Sequence, residues 1–114
     1  PDQLGELLQK LVIRDSEYEH PTVKHTLEQL RTQIDQYDDE ILKIVQKRME
    51  VVKLIGKHKK ENNIRIIQTN RWDEIIQKMQ QKGNGMGLSN EFIDQVFKAI
   101  HQESISIQTK ILNS

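Results

Sequence analysis

Residues 41–60 read ILKIVQKRMEVVKLIGKHKK, and the fold turns on how their apolar positions repeat. Followed upstream, one seam runs Leu27, Ile34, Ile41, Arg48, Ile55, and its companion runs Leu30, Tyr37, Ile44, Val51. That recurrence is the mark of one apolar helix face. It holds from about Val23 to Glu61, which predicts a single helix over ~50 Å long at about 1.5 Å per residue. A compact domain of about 100 residues has a radius of gyration near ~13 Å. A helix of that length outreaches two short neighbours, so its stripe calls for a second copy of the chain. Only Arg48 interrupts the seam. Either its aliphatic stem snorkels to the surface, or its guanidinium lines a polar interior. Gly56, inside the same helix, costs up to about 1 kcal/mol relative to Ala, and a close backbone approach would account for it.

Working outward, ENNIRIIQTN breaks the pattern. A further helix is expected from Thr69 or Asn70 to Lys82, with Ile75, Ile76 and Met79 inward and Gly83 as its C-cap. GNGMGL reads as a turn, Ser89 as an N-cap, and Glu91 favours the positive end of the helix that follows. That last helix carries Phe92, Ile93, Val96, Phe97, Ile100, Ile107 and Ile111. Towards the N-terminus, Leu4, Leu7, Leu8 and Leu11 give residues 2–12 one apolar face. The polar stretch RDSEYEHPTVKH, with Pro21 in it, reads as a linker. The expected organisation is therefore 1–26, the tail of an upstream domain, and 27–114, one all-α domain of three helices with a very long first helix.

Composition narrows the chemistry. There is no Cys among the 114 residues, which removes disulfides, zinc-thiolate sites and thiol nucleophiles and fits a reducing, cytoplasmic compartment. No apolar run approaches a membrane span of about 18 residues. Seventeen basic residues balance 17 acidic ones, whereas a nucleic-acid binder is more often strongly basic. Hydrophobic content is 35%, low for a compact monomer, and a core shared between copies would ease the deficit. His20, His25, His58 and His101 lack metal-ligand spacing and read as surface or packing residues. No phosphate loop and no Ser-His-Asp arrangement stands out. The chain starts at Pro1 rather than Met, which reads as a processed chain or a piece of a longer one.

The polar residues on apolar faces are more telling. Lys59, eleven residues after Arg48, lies only about 20° away around an ideal helix, about three turns on. Arg31 lies about 100° away, on another face. Ser104 and Gln108 are neighbours at i and i+4 on the last helix, and Arg71 sits one turn before Ile75. Taken singly, each has an ordinary reading: a solvated KHKK run for Lys59, a hydroxyl bonded to its own helix for Ser104, a surface amide for Gln108. Taken together they outline a cavity with cations and neutral donors and no balancing acid. Buried unpaired charge is costly, so such a cavity implies a small anionic guest with carboxylates or phosphates.

These residues carry a resemblance. From about Leu27 to Leu112, three quarters of the chain, the sequence resembles the all-helical chorismate mutases of the AroQ class. The stretch LRTQIDQYDDEILKIVQKRMEVVKLIGKHK is similar to that family's first-helix signature. The arginines of LEQLR and QKRMEVV, the lysine of IGKHK, the arginine of QTNRW and the pair in ESISIQ match in order. The resemblance implies an intertwined homodimer that converts chorismate, a dianion, to prephenate with no cofactor and no metal. It implies that Arg31 from the partner chain, Arg48 and Arg71 hold carboxylates. Lys59 and Gln108 would bond the breaking ether oxygen, Ser104 would place a carboxylate or hydroxyl, and Gln68 would stand where an acid often meets the ring hydroxyl. Trp72 departs from the pattern, standing where many members have glutamate, and leaves the grip on that hydroxyl to Gln68 or a backbone group.

Some bacteria fuse such a mutase behind a 3-deoxy-heptulosonate-phosphate synthase, and DQLGELLQKLVI resembles the end of such a domain. Two other readings compete: an isochorismate pyruvate lyase, which shares the architecture, and a non-catalytic helical dimerisation or regulatory module.

Overall fold

The computed structural model describes residues 21–114. Three helices follow one another: α1 (Pro21–Glu61), α2 (Thr69–Gly85) and α3 (Asn90–Leu112), with no strand among the described residues. The expected all-α, three-helix fold with a very long first helix is what forms. The helix expected over residues 2–12 lies outside the described residues. One boundary moves: PTVKH, read as linker, is the first turn of α1. Proline suits a helix start, where its missing N–H has no partner to lose and its φ is already helical.

The chain divides into two units, one up to Leu42 and one from Lys43 to Ser114. In the first, helical residues 21–42 are exposed throughout apart from half-buried Leu27. Both seams lie bare there, with Leu30, Ile34, Tyr37 and Ile41 all exposed. No helix among the described residues is long and apolar enough to cross a membrane.

The second unit holds the packed part. Its buried apolar side chains are Met49, Val52 and Ile93. On α1 the covered stripe is Met49, Val52 and Gly56, turned away from the Ile44–Val51 seam, which stays exposed. Arg48 and Lys59 fall at the border between the covered and bare stripes. Gly56 makes the close approach that its cost required: a Cβ there would stand 3.1 Å from Ile111 Cδ1 and 3.4 Å from Gln108 Cα.

The connections explain the placements. Asn63 adopts a left-handed φ of 55°, which asparagine tolerates, and Ile64 N–H donates to the Lys59 carbonyl at 2.9 Å, the six-residue bond of a Schellman cap. The same device ends α2, but not at Gly83. Gly87, with φ 84°, is the left-handed residue, and Leu88 N–H donates to the Gly83 carbonyl at 2.9 Å. Gly83 sits inside the helix because α3 comes too close for a side chain: a Cβ would lie 2.2 Å from Ile93 Cδ1. Ser89 caps α3 as expected, its Oγ accepting from Phe92 N–H at 3.2 Å.

Candidate active site

Within the second unit, the three helices enclose a cavity of about 250 Å³. Its polar lining is Arg48 and Lys59 from α1, Gln68 and Arg71 at the start of α2, and His101, Ser104 and Gln108 from α3. Val52, Ile55, Ile66, Ile75 and Ile105 supply the apolar wall. No Asp or Glu belongs to the lining. A larger hollow of about 560 Å³ runs along α1 from His25 to Gln33. It is an open depression on a single helix with no convergent charge, so the smaller cavity is the one with chemistry in it.

Local structure aims each group. The Schellman cap of α1 folds the chain back so that the Ile66 carbonyl accepts from Lys59 Nζ at 2.8 Å. The same ammonium donates to Gln108 Oε1 at 2.9 Å. An ammonium has three protons, so one remains for the cavity. Gln108, with its oxygen held, turns its amide nitrogen to donate. Arg48 Nη1 donates to Ser104 Oγ at 2.6 Å, and that hydroxyl donates in turn to the Ile100 carbonyl at 2.9 Å. Ser104 thus satisfies its own helix and orients the arginine at once. Ser104 and Gln108 are both buried, which on α3 is a polar stripe inside a core face. Gln68 precedes α2 with extended backbone and makes no side-chain cap, leaving its amide to the cavity.

The electrostatics are those of a site short of negative charge. Burial first, then the neighbouring Arg71, press the Arg48 pKa below its usual value, and burial does the same to Lys59. Arg71 is mostly exposed and makes a loose 3.7 Å ion pair with Glu74 one turn on. That acid stands outside the lining and leaves the cavity's own charge positive.

Six of the seven expected site residues therefore meet: Arg48, Lys59, Gln68, Arg71, Ser104 and Gln108. Arg31, on the segment up to Leu42, is not in this lining. Two groups of the cavity were missed in the sequence, the Ile66 carbonyl and His101, the latter read as a surface or packing residue. The Ile66 carbonyl is a backbone group in a turn, and no residue type announces it. His101 was legible, since it lies three residues before Ser104 and thus on the same face.

Residues 30–109 match the family model for type II chorismate mutases. The chain is 34% identical over 82 residues to the bifunctional chorismate mutase/prephenate dehydratase of Buchnera aphidicola subsp. Acyrthosiphon pisum, covering 72% of this chain and 21% of that protein. The protein of the same description from Buchnera aphidicola subsp. Schizaphis graminum is 30% identical over 90 residues, 79% of this chain and 23% of its own. The T-protein of Haemophilus influenzae is 30% identical over 78 residues, 68% of this chain and 21% of its own. The chain spans about a fifth of the length of these relatives. With the match running through all three helices that wall the cationic cavity, the chain belongs to the type II chorismate mutase family.

Proposed function

We propose that this chain rearranges chorismate to prephenate by an intramolecular Claisen shift. The observation that carries the reading is the convergence of Arg48, Lys59 and Arg71 on a cavity whose lining holds no carboxylate of its own. In the rearrangement the ether C–O bond breaks as a C–C bond forms within one molecule, and no proton or electron leaves it. The protein's tasks are to hold the substrate in a compact chair and to meet the charge that grows on the ether oxygen. Lys59, with one proton to spare, and the Gln108 amide nitrogen are the donors for that oxygen. Arg48 and Arg71 hold carboxylates through fork-shaped donor sets, and Ser104 fixes the Arg48 fork. Gln68 takes the ring hydroxyl at the mouth of α2.

The assembly we infer is a homodimer in which Arg31 of the partner subunit completes each site. Its support is the bare seam of α1, together with a core of three buried apolar side chains among the described residues, too small for a stable fold alone. The mutase domain is residues 27–114. Residues 1–26 are the tail of an upstream domain, read as a 3-deoxy-heptulosonate-phosphate synthase from the amphipathic DQLGELLQKLVI, and the whole acts in the cytoplasm.

The test is an assay of the purified chain with chorismate and, separately, isochorismate. Stoichiometric prephenate from chorismate supports the reading. Pyruvate released from isochorismate alone would make it a lyase, and no turnover of either would leave a non-catalytic helical module.

A further inference from the structure

His101 has no part in the chemistry above, yet its ring lines the cavity with Arg48, Lys59 and Ser104. The ring packs on Trp72, centroids 4.6 Å apart and planes tilted by 32°. Among the described residues, neither ring nitrogen has a hydrogen-bond partner within the protein. Trp72 thus backs the imidazole from α2 while the ring's other side borders the cavity. We propose that His101 is a further substrate-contacting residue, an imidazole seated against Trp72 that donates to the incoming dianion and takes up one proton as it binds. The inference rests on the cavity being a dicarboxylate site.

The surroundings set the direction. From α1, Arg48 and Lys59 face the ring; from α2, Arg71 shares the cavity and Trp72 covers the ring's face. On its outer side, His101 lines a shallow groove with Ile76, Asp94, Lys98 and Gln102. Burial, then Arg48, then Lys59 hold its pKa below that of an ordinary histidine, so in the empty cavity the imidazole is neutral near pH 7. A dianion brings two negative charges against the same two cations and removes their objection to a third positive charge. The proton comes from solvent to the free ring nitrogen, and no other bond changes. The indole face favours the cation that results. Because binding raises the midpoint, the gain in affinity is complete below the empty-site midpoint and disappears as pH rises through the bound-site midpoint.

Calorimetric titration with prephenate, in buffers of equal pH and different ionisation enthalpy, reads the proton directly. Near pH 6.5 the wild type takes up about 0.3–1 proton per site, and its dissociation constant weakens about threefold or more from pH 6 to 8. His101→Gln keeps a donor but cannot titrate. It binds with no uptake and a flat profile. Trp72→Phe keeps an aromatic face and retains the uptake, and His101→Asn serves as the second variant should His101→Gln fold poorly by circular dichroism. Tight binding without uptake in the wild type, or unchanged uptake in the His101 variants, overturns this proposal and leaves the dicarboxylate reading standing. Absence of both prephenate binding and chorismate turnover overturns the two together.

Discussion

At the scale of single residues, Arg48 and Lys59 look out of place on an apolar helix and are in place in the cavity. Their eleven-residue spacing puts them on one side of α1, and in the fold Ser104 holds the first and Gln108 with the Ile66 carbonyl the second. Burial lowers the Lys59 pKa in the empty site, and a bound dianion pushes it back up. The alkaline limb of kcat/KM, which reports the free enzyme, therefore falls below the range of an ordinary lysine, and the limb of kcat lies at higher pH. Full pH–rate profiles check both; coincident limbs would remove Lys59 from the titration. Side-chain identities and spacing pointed to Arg48, Lys59, Arg71, Ser104 and Gln108, all of which line the cavity, while Gln68 came from the family resemblance. The backbone carbonyl that fixes Lys59 was not legible, because only the folded turn brings it there.

At the scale of elements, the sequence carried the type and order of the three helices among the described residues but misassigned one glycine. Gly83 looked like a C-cap because glycine commonly ends helices. In the fold that role belongs to Gly87, and Gly83 is where α3 presses on α2. The two positions fail differently when changed. Gly83→Ala forces the buried Ile93 to shift, an overpacking cost of about 1–3 kcal/mol. Gly87→Ala has open space around it but a strained φ, costing about 1–2 kcal/mol. Urea denaturation of both variants measures this, and an Ala at Gly83 that stabilises the protein would contradict the packing. The start of α1 was equally hard to read: a proline in a polar stretch looks like a linker from composition and like a first helical turn from geometry.

At the scale of the whole molecule, the exposed seam on α1 and the thin core are the observations behind the proposed dimer. Ile44 is 62% exposed in the single chain; in the proposed dimer it is covered. Ile44→Glu therefore yields a smaller species by sedimentation, with both stability and turnover lost, whereas a harmless outcome would free the seam of any role. Mixing refolded Arg31→Ala and Lys59→Ala chains restores one intact site per heterodimer, about a quarter of wild-type activity for random pairing in a two-fold dimer; no recovery would keep Arg31 out of the partner's site. In the proposed mechanism the cavity's cations carry the rearrangement, with Lys59 meeting the developing charge. The most direct measurement is prephenate formation from chorismate by Lys59→Ala beside the wild type, with circular dichroism and sedimentation on both. The expected result is a folded variant of unchanged assembly whose kcat falls about 10²–10³-fold. A variant that turns over chorismate as fast as the wild type would contradict it.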